Sequence, residues 1–191
     1  MDFDQKKKRH NNIFLRKFLI ISVIIVMAII QSAWWIVYFI ASDGEPRYLL
    51  IKRHALSGKI ERVAPKGKIQ GSEEITKAAL REVSEETGIP INQMRIKQQL
   101  GTTQLRNTEN HKGQMDKDVT YFLVQYSGDP EFVKIERAEG YIGIHKRCTL
   151  NEVLALIYYQ DIRELIRKSY ALIKEWQKNN DIKKDFINKL W

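Results

Sequence analysis

The sequence predicts an α/β domain, and three observations predict it. An amphipathic helical pattern with well-marked ends lies near the middle of the chain, over 72–88. Runs that are apolar or alternate in polarity flank it with strand character, over 47–53, 94–100 and 119–126. Two more helical patterns follow towards the C-terminus. The central helix has the clearest ends. Ser72 takes the N-cap position, with Glu73 and Glu74 against the positive end of the helix dipole. Gly88 suits the position just past the last turn, and Pro90 stops any continuation. A chain of 191 residues has room for one such domain with extensions.

Inside this helix Glu82, Glu85 and Glu86 fall at i, i+3 and i+4, so their carboxylates share one side. Glu82 and Glu86 lie beside Ile75 and Ala79, at the edge of the apolar stripe. Like charges so placed repel one another and are costly to half-bury. A divalent cation with a preference for hard oxygen ligands removes both problems. The spacing goes further than the three glutamates. Gly67, five residues, Glu73, seven residues, Arg81-Glu82-Val83, one residue, Glu85-Glu86, one residue and Gly88-Ile89 resemble the complete Nudix box of the Nudix hydrolases. A solvated acidic helix would explain the glutamates alone, not Gly67, Arg81 and Gly88 in register with them. The resemblance covers about 32–175 and implies the Nudix α/β/α sandwich, a mixed sheet between helices.

Taken in order, residues 1–17 are polar and basic, with Lys6, Lys7, Lys8, Arg9, Arg16 and Lys17. Phe18–Ile40 is apolar and long enough to span a bilayer as a helix, for which about 20 residues are needed. Read so, it is a single-pass anchor with its basic flank inside. A competing reading takes Ser32-Ala33-Trp34-Trp35-Ile36-Val37-Tyr38 as the opening strand, where Nudix domains resemble one another in carrying Ser-Ala-Gly-small-Ile-Val-Tyr. The two tryptophans depart from that pattern and would narrow the substrate side of the strand. The strand is preferred, because the sheet would otherwise lose a member. It leaves Phe18–Ile30 as an apolar N-terminal helix, too short to span and suited to a membrane surface or a partner. The expected organisation is thus a membrane-associating segment 1–31, a catalytic domain 32–175 and a basic amphipathic tail 176–191.

Ser42–Pro46 is a turn by composition, and Arg47–Arg53 completes a hairpin. The loop 55–71 ends in Pro65-Lys66-Gly67-Lys68, similar to the segment before the box in the dinucleoside polyphosphate branch of the family. Gly67 and Gly71 are read there as turn residues that expose N–H groups to phosphate. Gln104–Asp118 is polar, broken by Gly113 and long for a hairpin loop, hence either functional or mobile. Lys117–Phe122 resembles the Lys-x-Val-x-Tyr segment of the same branch. A turn at Ser127–Pro130 and a late strand at Glu139–Ile144 follow. Thr149 with Glu152, and Asp161 with Glu164, have capping-box spacing, opening helices over Leu150–Tyr158 and Ile162–Gln177. The tail spaces Ile182, Phe186 and Leu190 four apart, a stripe that suits docking on the domain or on a membrane or partner.

The resemblance implies hydrolysis of a diphosphate bond in a nucleoside diphosphate linked to another group, the work of a pyrophosphohydrolase acting on acid anhydrides. It makes Glu82, Glu85 and Glu86 the ligands of Mg²⁺, with Mn²⁺ as the alternative ion, and Glu85 and Glu86 part of the catalytic set. Gly67, Glu73, Arg81 and Gly88 support the geometry of loop and helix. Glu139, just before the Tyr141 strand, is a candidate extra ligand or general base; an exposed strand-end carboxylate is the competing reading. Arg53, Lys66 and Lys117 are candidates to hold phosphates, against plain surface charge. Tyr121 stacks on a base or sits in the core.

The balance of 32 basic to 23 acidic residues, net +9, favours an anionic partner, although much of the excess belongs to the two ends. That partner is read as a nucleotide, with no specific nucleic-acid binding, in a cytoplasmic domain with a membrane surface near its N-terminus. The expected substrate is a dinucleoside polyphosphate or an oxidised or ordinary nucleoside triphosphate. The single Cys148 excludes an intramolecular disulfide, and His10, His54, His111 and His145 form no ligand spacing. Two alternatives stand beside the enzyme: a Nudix module that senses a nucleotide without cleaving it, and a membrane-tethered interaction protein.

Overall fold

The computed structural model describes residues 30–54, 58–110, 113–135 and 141–188. Glu139, Leu190 and all but the last residue of the expected helix over Phe18–Ile30 lie outside them. The described residues divide into two compact units, the larger within 31–103 and 119–188 and the smaller comprising Ile30 and residues within 104–118.

Ile30–Ile40 forms strand β1, which overturns a spanning helix over 18–40. The reason is local. Trp35, Ile36, Val37, Tyr38 and Phe39 are β-branched or aromatic, favour extended backbone, and bury side chains on both faces. Among the described residues no helix is long and apolar enough to cross a membrane. The expected turn follows, closed by hydrogen bonds of 3.0 Å from Ala41 N–H to the Glu45 carbonyl and 2.9 Å from Gly44 N–H to the Ala41 carbonyl. β2 (Pro46–His54) then returns antiparallel to β1, Tyr38 opposite Tyr48.

β3 (Ile60–Val63) and β4 (Lys66–Lys68) come next, then helix α1 (Ile75–Thr87). Strands β5 (Met94–Asn110) and β6 (Gly113–Tyr126) precede β7 (Tyr141–Cys148), and helices α2 (Leu150–Leu156) and α3 (Gln160–Asn188) close the fold. The sheet runs β3-β2-β1-β6-β5, with β4 added on β1 and β7 on β2. β5 takes up 104–110 and β6 takes up 113–118, so those residues are strand rather than loop. Its polar composition hid this, because ladder hydrogen bonds are made by the backbone whatever the side chains.

Alternation along β1 and β2 sorts the core into two layers. Trp35, Val37, Phe39, Leu49 and Ile51 join Ala79 and Val83 of α1 in one cluster, with Phe122 and Val124 from β6. Trp35 stacks on Phe122, ring centres 6.0 Å apart. The alternate residues Tyr38, Tyr48 and Leu50 are buried as well. There the Tyr48 hydroxyl lies 3.1 Å from Ser169 Oγ of α3, joining sheet to helix. Tyr121 is core too.

Two predicted helix starts shift. α1 begins at Ile75 with Glu74 as its N-cap and no side-chain cap, so Ser72 lies in the preceding loop. α3 begins at Gln160, which places Asp161 within the first turn. The other start matches: Thr149 and Glu152 make a reciprocal capping box at α2. Lys146 and the Thr149 N–H hold the Glu152 carboxyl down at about 2. α3 runs unbroken past Gln177 to Asn188, and Ile182 is exposed on it.

Trp35 is wholly buried, so Trp35→Ala is expected to destabilise the fold by about 3–5 kcal/mol, read as a lower urea midpoint at unchanged slope.

Candidate active site

Strand β4 and helix α1 meet at the box. β4 is short but held firmly on β1, with Ser32 opposite Lys68, Ala33 opposite Gly67 and Trp34 opposite Lys66. Ser32 Oγ also donates to the Gly67 carbonyl at 2.9 Å, and Trp35 N–H donates to the Pro65 carbonyl at 3.0 Å. The loop after β4 turns at Gly71 (φ 53°), and Glu73 N–H donates to the Gln70 carbonyl at 2.9 Å. Helical bonding begins only at Glu74, whose carbonyl accepts from Lys77 and Ala78, each at 2.9 Å.

Glu73 therefore stands ahead of the helix rather than on it, and Arg81 reaches back to it. The guanidinium grips the Glu73 carboxylate at both oxygens, Nε to Oε1 at 3.0 Å and Nη2 to Oε2 at 2.9 Å. Its remaining nitrogen, Nη1, donates to Glu82 at 3.0 Å and to Glu85 at 2.9 Å. One cation thus binds three carboxylates. The Arg81 fork holds the Glu73 carboxyl below its ordinary value, and Glu73 raises Arg81 in return. Because the Glu73 shift is downward, its stabilising effect is complete above the ordinary glutamate range and is lost as pH falls through the lowered value.

Gly67 has no left-handed backbone; a close approach requires it. A Cβ at this position would lie 1.9 Å from Glu82 Cδ and 2.1 Å from its Oε2. The expected turn role at Gly67 is corrected accordingly: it is a strand residue over which Glu82 lies. One residue earlier, Lys66 N–H donates to Glu86 Oε2 at 3.0 Å. Glu82 and Glu86 thus meet adjacent residues of β4. Glu85 is the exposed member, its side chain 58% accessible against 15% for Glu82. At the far end Gly88 is left-handed (φ 68°) and closes the helix onto the Ser84 carbonyl at 2.9 Å.

The structure brings Gly67, Glu73, Arg81, Glu82, Glu85 and Glu86 together, with the Lys66 backbone among them. It does not bring Arg53, whose Nε donates to Glu61 across the β2–β3 pair at 2.6 Å. Lys117 lies on β6 in the other compact unit. Among the described residues no three His, Cys, Asp or Glu side chains converge as a formed metal site. Glu82 and Glu85 turn towards Arg81 and Glu86 towards the Lys66 N–H. The donor set nonetheless fits a hard cation: carboxylate oxygens at three positions on one helix side.

Two features escaped sequence reasoning. Tyr158, the expected last residue of a helix from Leu150, and Tyr159 both follow the end of α2 at Leu156, and Tyr158 is 88% exposed. Their rings meet edge to face, 5.6 Å between centres. With Lys52, Lys59 and Arg62 they line a groove of about 560 Å³ between β3 and the α2–α3 connection. The two tryptophans also part company. Trp35 is core, whereas Trp34 turns to the opposite face and meets Tyr121 edge to face at 5.8 Å.

The NUDIX domain family model matches residues 30–169. The chain belongs to the Nudix hydrolase family. No curated protein matches it by sequence. Among solved structures, the C. elegans Ap4A hydrolase in a binary complex is similar at TM-score 0.63 and 23% identity, covering 77% of this chain and 99% of that one. The E. coli dihydroneopterin triphosphate pyrophosphohydrolase matches at TM-score 0.57 and 16% identity, covering 72% and 92%. The NUDIX domain of Shewanella oneidensis NrtR, complexed with ADP ribose, matches at TM-score 0.54 and 20% identity, covering 74% and 88%. These likenesses show the fold: the expected α/β Nudix sandwich.

Gly67→Ala collides with the movable end of Glu82 rather than with backbone. The variant should keep its melting temperature within a few degrees while kcat falls about 100-fold, measured by differential scanning and steady-state kinetics on one preparation.

Proposed function

We propose that the chain is a divalent-metal-dependent pyrophosphohydrolase that cleaves a diphosphate bond in a dinucleoside polyphosphate or an oxidised or ordinary nucleoside triphosphate. The observation that carries this reading is the pair Glu82 and Glu86 held against adjacent residues of β4, with Glu85 beside them on Arg81. These three would hold Mg²⁺. When bound, the ion supplies charge neutralisation for the phosphates and a lowered pKa for the attacking water.

The chain's own residues do the positioning. Arg81 fixes the loop ahead of the helix through Glu73 and steadies Glu82 and Glu85, so the carboxylates keep their spacing. Gly67 leaves space for Glu82 beside the strand. Lys52, Lys59 and Arg62 outnumber the one carboxylate, Glu61, in the groove under the α2–α3 connection, a charge that suits a polyphosphate, and Tyr158 with Tyr159 offers an exposed aromatic wall there. The similar C. elegans structure is an Ap4A hydrolase and the E. coli one a triphosphate pyrophosphohydrolase, which supports this substrate class. Arg53, Lys66 and Lys117 remain candidates to hold phosphates, and Glu139 to act as base or extra ligand.

The test is turnover of a panel of dinucleoside polyphosphates, nucleoside triphosphates and nucleotide sugars with Mg²⁺ and with EDTA. Hydrolysis should be abolished by EDTA, and Glu86→Gln should lower it about 100-fold or more. Equal rates in EDTA, or activity confined to nucleotide sugars, would contradict the reading.

A further inference from the structure

Residues 65–67 lie under two of the box carboxylates, and what fixes them on β1 differs from one end to the other. At Pro65, Trp35 N–H donates to the carbonyl at 3.0 Å. Proline has no N–H to return, so this position contributes one bond where an ordinary hydrogen-bonded pair exchanges two. At Gly67 a side chain adds to the ladder: Ser32 Oγ donates to the carbonyl at 2.9 Å. Ser32 stands opposite Lys68, so its hydroxyl reaches diagonally across the strand pair. It is 2% exposed, and solvent does not compete for the bond. Between these two attachments lie the Lys66 N–H from which Glu86 accepts and the Gly67 Cα against which the Glu82 carboxyl lies.

We propose that Ser32 is a positioning residue for the cation site: its hydroxyl fixes Gly67 on β1 and so sets the spacing of the Glu82 and Glu86 carboxylates. The tolerance there is small. A Cβ on Gly67 would lie 1.9 Å from Glu82 Cδ, so the glycine and the carboxyl are in direct contact and move together. Lys66 precedes it on the same strand, and its N–H reaches Glu86 Oε2 at 3.0 Å. A strand that tilts at Gly67 therefore shifts both carboxylates, whereas Glu85 is held by Arg81 instead. Ions of the Mg²⁺ class take oxygen ligands at about 2.1 Å in near-octahedral geometry, which penalises misplaced donors. Groups that orient ligands without touching the metal govern affinity for the same reason. Ser32 acts one step further out, through the backbone of β4. Alanine would fill nearly the same space and donate nothing, so the hydroxyl rather than bulk is what this position supplies.

This inference rests on the metal-site reading, and its test separates the two without turnover. Mn²⁺ is titrated by calorimetry into full-length wild type, Ser32→Ala and Ser169→Ala, each checked by thermal melting. Ser169 is the control: it is also wholly buried, and its Oγ lies 3.1 Å from the Tyr48 hydroxyl in the layer between sheet and α3. Loss of a buried hydroxyl lowers stability at either place, but only Ser32 reaches the strand under the carboxylates. Wild type should bind Mn²⁺, and Ser32→Ala should bind it about tenfold more weakly. Ser169→Ala should bind as wild type does. Should Ser32→Ala melt below the assay temperature, Ser32→Cys, whose thiol is only a weak donor, is titrated in its place with the same expectation. Unchanged affinity in the Ser32 variant, or an equal loss in Ser169→Ala, would overturn the positioning role while wild-type binding leaves the metal reading standing. Wild type that takes up no Mn²⁺ would overturn both.

Discussion

One guanidinium holds the site together. Arg81 grips Glu73 with both oxygens and reaches Glu82 and Glu85 with its remaining nitrogen, so a single cation ties the loop to the helix and spaces the carboxylates. Lysine offers the charge but not the fork, because its ammonium is one point on a flexible stem. The arrangement is compact. Glu73 precedes the helix, Arg81 lies two turns along it, and the bend between them is set by their contact.

That contact has meaning only because β4 is fixed. The strand has three residues, yet it is paired to β1 and further held by Ser32 Oγ on the Gly67 carbonyl and by Trp35 N–H on the Pro65 carbonyl. β1 in turn is anchored through Trp35, Val37 and Phe39 in the layer shared with α1. Core packing therefore reaches the carboxylates in two steps: apolar residues fix β1, and β1 fixes the strand that Glu82 and Glu86 touch.

Much of this was legible in the sequence, and the failures share a cause. Glu82, Glu85 and Glu86 on one helix, the left-handed Gly88 and the Thr149–Glu152 cap depend on local chemistry, and the structure has them where their spacing implies. The strand at 30–40 was recognisable through its Ser-Ala opening against a competing helical span, and its two tryptophans could be sorted only by the pleat. Sequence alone missed what depends on partners far along the chain. The pairing of Arg53 with Glu61 is visible only once β3 lies beside β2. Gly67 looks like a turn residue until Glu82 is seen lying over it. Tyr158 looks like a core residue until α2 ends two residues before it.

On the proposed reading, Glu82, Glu85 and Glu86 form a cation site once an ion competes with Arg81 and the Lys66 N–H for their oxygens. The most direct measurement is Mn²⁺ binding by electron paramagnetic resonance, using the full-length protein without substrate. Wild type should remove Mn²⁺ from the free-ion signal, added Mg²⁺ should restore that signal, and Glu82→Gln and Glu86→Gln should each weaken binding about 10–100-fold. Wild-type protein that leaves the free Mn²⁺ signal unchanged, or variants that bind as tightly as wild type, would contradict it.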